Sequence, residues 1–152
     1  MPTMNSGMSK AYRSLSLANV ELDHSLGEMA ESGFKVQDGC FFLGKCFEVD
    51  TNASINEFPD KTGYECFINS VNIDDYVDDG YLEQAVCFVR SVFSQWNKVQ
   101  ESRKLIAILS LDEFGLKVKF HVHRVGERWL SDELEDYDES ILVVDSSEIE
   151  II

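Results

Sequence analysis

His121 and His123, separated by Val122, are the residues best placed in this sequence to do chemistry. On a strand, side chains two positions apart point the same way, so both imidazoles could reach one metal ion. Their same-face neighbours are Lys117 and Lys119, whose charges oppose a cation. The third histidine, His24, lies far back in the chain, and no spacing selects a carboxylate to complete a site. The pattern favours a solvated or interface-lining face over a metal centre, and no metal or cofactor is expected. Alternatively, His121 or His123 could act as a general base beside a carboxylate such as Asp112 or Glu127. That reading requires both groups to line one cleft.

Lys117, Lys119, His121 and His123, with Arg124 beside them, also form the one cationic strip in an acidic chain. It either meets an anionic partner or pairs internally with the acidic segments, and internal pairing is favoured because acids are plentiful. Signatures of phosphate loops, dinucleotide folds, nucleophile elbows and zinc proteases are absent, which lowers the odds of an enzyme without excluding one. Cys40, Cys46, Cys66 and Cys87 form no CxxC pair, and three of them sit in apolar runs. They read as small buried hydrophobes with free thiols.

Acidity is the strongest feature. Twenty-eight Asp and Glu against thirteen Lys and Arg leave a net charge of −15 over 152 residues. Such a field repels nucleic acid and anionic membrane and attracts cationic surfaces. Acids concentrate late in the chain, at Asp132, Glu133, Glu135, Asp136, Asp138 and Glu139. Leu130, Leu134 and Tyr137 recur there at helical intervals, predicting a short helical turn with its carboxylates fanned outward. With Trp129 alongside, the block reads as a binding surface, because aromatic anchors amid charge are typical of interface hot spots.

The elements that must position these residues follow from periodicity. Residues 1–9 read as a flexible start, and 10–152 as a single α+β domain. A helix is expected from Lys10 to about Glu31, closed by Gly33. Phe34–Val36 and Cys40–Val49 flank Gln37-Asp38-Gly39, a hairpin signal. Residues 51–62 read as a loop. Tyr64–Ile73, rich in β-branched and aromatic residues, predicts a strand. Tyr81 to about Gln100 carries an apolar stripe of Leu82, Ala85, Val86, Val89, Phe93 and Trp96, predicting a core-facing helix. Leu105–Leu109 is apolar throughout and reads as a central strand. Leu116–Arg124 alternates strictly, predicting a strand with one wet face. Ser140–Asp145 supplies another strand. The expected architecture is α+β, a mainly antiparallel sheet with helices on one face.

At this length one domain can bury a core without disulfides or metals. No apolar run approaches the roughly 20 residues that span a bilayer, and Met1–Met8 lacks the pattern of a secretory signal. In size, acidity and α+β character the chain resembles the small immunity proteins that bacteria make against nuclease toxins of contact-dependent or polymorphic systems. The stretch from Phe120-His121-Val122-His123-Arg124 to Trp129–Tyr137 looks like the later half of such families. The resemblance implies a cytoplasmic, non-catalytic inhibitor that binds a basic toxin domain and touches neither nucleic acid nor membrane. An adaptor or chaperone-like subunit would read the same way.

Overall fold

Seven-residue apolar strands need partners on both edges, and in the computed structural model, which describes residues 2–49 and 53–148, Leu105–Leu111 has them. This strand, β5, pairs antiparallel with β6 (Leu116–Val122) on one side and β7 (Ser140–Asp145) on the other. Two short strands close the edges, β1 (Thr3–Met4) on β7 and β4 (Ser70–Asn72) on β6. The order is β1-β7-β5-β6-β4, antiparallel throughout.

Alternation then sorts the two faces. Leu109 stands opposite Val118 and Leu142, and all three enter the main core with Leu105, Phe120 and Val144. Helix α5 (Tyr81–Trp96) packs on this face through Leu82, Val86, Val89, Phe93 and Trp96, all buried as the stripe predicts. Phe88 and Phe93 set their rings edge-on to Phe120, at 5.8 and 6.4 Å between centroids. Each such side chain removed from water contributes about 1.5–3 kcal/mol. The helix ends at Trp96 rather than near Gln100, and the Trp96 indole donates to the Arg103 carbonyl beyond it (3.1 Å).

The hairpin is where Asp-Gly places it. β2 (Phe34–Gln37) and β3 (Cys40–Leu43) pair across Asp38 and Gly39, both at positive φ (54° and 76°), as a type I′ turn requires. The second run stops at Leu43, where the chain turns into α3 (Gly44–Val49). β3 is buried along its whole length, so it shows no alternation.

Three expectations are corrected. Lys61–Ile68 is a helix, α4, where a strand was predicted from Tyr64, and only Ser70–Asn72 is extended. Asp60 caps α4 by accepting from the Gly63 amide (2.7 Å), and helical spacing sends Tyr64 and Ile68 into the core together. Capping and packing outweigh the β-propensity of the segment. The single helix expected over 10–31 is two, α1 (Ser6–Arg13) and α2 (His24–Glu31). Asn5 and Asp23 cap them, and the chain between contains Asn19 at φ 63°. Gly33, at φ 81°, follows α2 as expected. Finally, the start of the chain is tied down. Thr3 and Met4 pair with Val143 and Leu142, and Met8 is fully buried. Of the expected 51–62 loop, Thr51 and Asn52 lie outside the described residues.

α2 packs on α5 and α1 on β7, so the result is an α+β domain with a five-stranded antiparallel sheet, a separate β2–β3 hairpin and helices on the core face of the larger sheet. None of the four cysteines is bonded to another. No helix among the described residues is long and apolar enough to cross a membrane.

Candidate functional site

The face of the sheet turned away from α5 carries Ile106, Ile108, Lys119, His121, Ile141 and Val143, a mixture too apolar to stand in water. The segment leaving β6 folds back over it, so the predicted wet face of β6 is largely covered. Leu134 is buried against the sheet, and Leu130 and Tyr137 are half-buried beside it. The helical turn shrinks to a 3-10 turn at Leu134–Asp136, with Leu134 as its main anchor.

Several polar contacts hold this segment. The Asn5 side-chain amide donates to the carbonyls of Leu134 (3.2 Å) and Glu139 (2.8 Å). Asn5 Oδ1 accepts from the amides of Met8 and Ile141, so one buried side chain joins α1, the segment and β7. Ser6 donates to Glu135 Oε1 through its amide (2.7 Å) and hydroxyl (3.0 Å). The Tyr137 hydroxyl accepts from the Ser131 amide (3.0 Å). Asp132, Glu133, Asp136 and Asp138 remain exposed, while Glu139 is half-buried. Asp132 meets Arg128 at 2.6 Å, a solvent-screened pair of small energetic worth. Trp129 is 44% exposed, with Lys119 Nζ 5.5 Å from its ring.

The cationic strip does not survive as a strip. Lys117 is exposed, but Lys119 is half-buried and donates to Ser70 Oγ (3.2 Å). Burial pushes the Lys119 pKa down, and neighbouring Lys117 pushes it further. His121 is only 4% exposed, and burial pushes its imidazole pKa below the ordinary value. Among the described residues neither lysine forms an ion pair. Arg124, next to the strip, is the base that pairs internally.

That pair was invisible in the sequence. Glu65, fully buried on α4, meets Arg124 through both oxygens, at 2.7 and 2.8 Å. The same oxygens accept from the amides of Phe41 (2.7 Å) and Val122 (2.8 Å). Asn69 makes a parallel staple, bonding Phe41, Leu43 and Phe120. The inward edge of β3 is thus satisfied by α4 and its C-cap, and the end of β6 is locked where the covering segment begins. Nothing marked Glu65 in advance, because it stood in a predicted strand.

His121 and His123 do come together. They line one cleft of about 290 Å³ beneath the segment, with Glu127, Arg128, Trp129 and Asp132 at its margin. Asp112 is elsewhere, capping the β5–β6 turn by accepting from Phe114 and Gly115. His24 pairs with Glu28 on α2 (2.6 Å). Neither cleft histidine bonds a carboxylate among the described residues, and Glu127 accepts instead from the Thr62 amide (3.1 Å). No group of three or more possible metal ligands is found among the described residues.

Comparison with known proteins places this arrangement in a family. The profile of the uncharacterized protein PM0498 family matches residues 3–152, and the chain belongs to that family. A Pasteurella multocida (strain Pm70) relative, described as uncharacterized protein PM0498, is 33% identical over 99 residues. The match takes in 59% of this chain and 62% of the relative, so it spans less than two thirds of the relative's length. No solved structure matches the chain.

Proposed function

We propose that this member of the PM0498 family is a non-catalytic inhibitor that binds a basic protein, of the kind represented by immunity proteins against nuclease toxins, and that it works in the cytoplasm. The observation that carries the reading is the pinned acidic segment. Asp132, Glu133, Asp136 and Asp138 point outward from a backbone tied to α1 and β7, so their charges are displayed in a fixed array. A fixed array loses little conformational freedom on binding and can occupy places where a nuclease would hold phosphates. Trp129 lies beside the array with nearly half its surface free for a partner.

An enzyme remains the second reading for one reason: Glu127 lines the same cleft as both imidazoles. The missing hydrogen bond between base and carboxylate weighs against it.

The test is affinity capture from the native host, then kinetics on a stoichiometric basic partner. Converting Asp132, Glu133, Asp136 and Asp138 to amides should slow association and flatten its salt dependence. Trp129→Ala should mainly speed dissociation. Trp129 is a cleaner probe than Tyr137, whose hydroxyl also holds the segment. A partner indifferent to both sets of changes would refute the acidic surface.

A further inference from the structure

We infer that Lys119 is a nucleophilic amine that captures an uncharged aldehyde as an imine, in the cavity between β6 and the covering segment. The starting point is a lysine drawn off the surface without a counter-ion. Lysines ordinarily carry their ammonium out into water. Lys119 is half-buried instead, with Nζ 3.2 Å from the Ser70 hydroxyl and 5.5 Å from the Trp129 ring. No carboxylate pairs with it among the described residues. Burial first, and Lys117 on the same face of β6 second, push the amine's pKa below the ordinary lysine value, while Cys66 on α4 opposes them. The Cys66 thiol is itself held up to about 12, so at neutral pH it is uncharged and its opposition is lost. A desolvated lysine beside a second cation is the arrangement that frees an amine to attack.

The cavity gives that amine a guest to attack. It encloses about 220 Å³, with Ile108 and Ile141 supplied by the sheet and Leu130 and Trp129 by the covering segment. Such walls admit an apolar or aromatic body and hold water back. Lys117 and Glu139, one of each sign, also line it, and the overall charge of −15 repels anionic carbonyl compounds. An uncharged aldehyde is therefore the class that fits. The Nζ lone pair adds to the carbonyl carbon, and one N–H proton passes to the carbonyl oxygen. The resulting hydroxyl then leaves with the second N–H proton as water, which forms the C=N bond with no redox step. The Tyr137 hydroxyl lines the same cavity, accepts from the Ser131 amide and keeps its own proton to lend to the departing oxygen. Water reverses the reaction, so the site captures and releases without turnover.

The probe is benzaldehyde with sodium cyanoborohydride, which reduces an imine to a stable secondary amine, followed by peptide mapping of the full chain by mass spectrometry. At pH 7 Lys119 should be labelled about tenfold faster than any other lysine. Lys119→Arg keeps the charge and should abolish that label alone. Lys117→Gln, at an exposed position, should slow labelling of Lys119 several-fold, because losing a neighbouring positive charge raises the amine's pKa and leaves less of it free. A lysine that is merely accessible would not respond to that change. Benzyl alcohol, of similar size but unable to form an imine, should protect Lys119 and no other lysine. Label spread evenly over the exposed lysines, or a Lys119 rate unmoved by both Lys117→Gln and benzyl alcohol, overturns the inference. No partner protein takes part in this reaction, so its failure leaves the acidic segment to be judged separately, by the association kinetics of the amide variant.

Discussion

At the scale of single residues, Glu65 does the most unusual work. Both of its oxygens face donors, two backbone amides and the two arms of Arg124. In Glu65→Gln the new NH2 would confront a donor with a donor and leave the guanidinium underpaired. We expect a loss of about 3–5 kcal/mol by urea denaturation, and a double replacement of Glu65 and Arg124 by apolar residues should cost less than the two singles combined. His121 sets a pH dependence of definite sign. Burial holds its folded pKa below the usual 6.5, so the unfolded chain binds more protons between the two values. Stability should be fully present above about pH 6.5 and fall as the pH drops through the folded value. His121→Gln should flatten that slope in urea midpoints measured from pH 7 to pH 5. A slope unchanged by the substitution would place the sensitivity elsewhere.

Among the elements, α5 is the one whose failure would dissolve the core. Val89 is fully buried at its centre, facing the sheet. Val89→Asp would bury a charge with no partner and should destabilise by several kcal/mol. A thermal melt like that of the unsubstituted chain would mean the helix faces another way. The cysteines act as packing at this scale as well. Burial pushes the Cys66 thiol up to about 12 and, with Glu65 nearby, the Cys40 thiol up to about 11. Thiolate, the reactive form, is therefore scarce at neutral pH. Cys40 and Cys66 should stay silent to a disulfide reagent in the native protein and react once it is unfolded.

Over the whole molecule, a net charge of −15 is a cost to folding. Like charges repel most in the compact state, and salt screens them. Raising sodium chloride from about 20 mM to about 0.5 M should increase the melting temperature, with the Debye length shrinking from beyond 10 Å to a few Å. The amide variant at Asp132, Glu133, Asp136 and Asp138 should melt at least as high as the unsubstituted chain and respond less to salt. A variant that melts lower would show those carboxylates supporting the fold rather than serving a surface.

From the sequence by itself came the features written in short-range periodicity or in composition: α5 and its buried stripe, the Asp38-Gly39 hairpin, the central β5, the alternation of β6 and the acidic block. Each rests on neighbours a few residues apart, whose pattern is physically the cause of the local structure. Tertiary structure alone decided that Tyr64–Ile68 is helical, because an Asp60 cap and burial on both sides outweigh a weak β preference. It alone decided that His121 is covered, because the covering segment returns to the sheet through contacts between Asn5 and residues more than 120 positions away. The same closure set His121 and His123 of an apparent cationic stripe along one cleft. Periodicity states which side of a strand a side chain occupies, and only the assembled chain states what lies against that side.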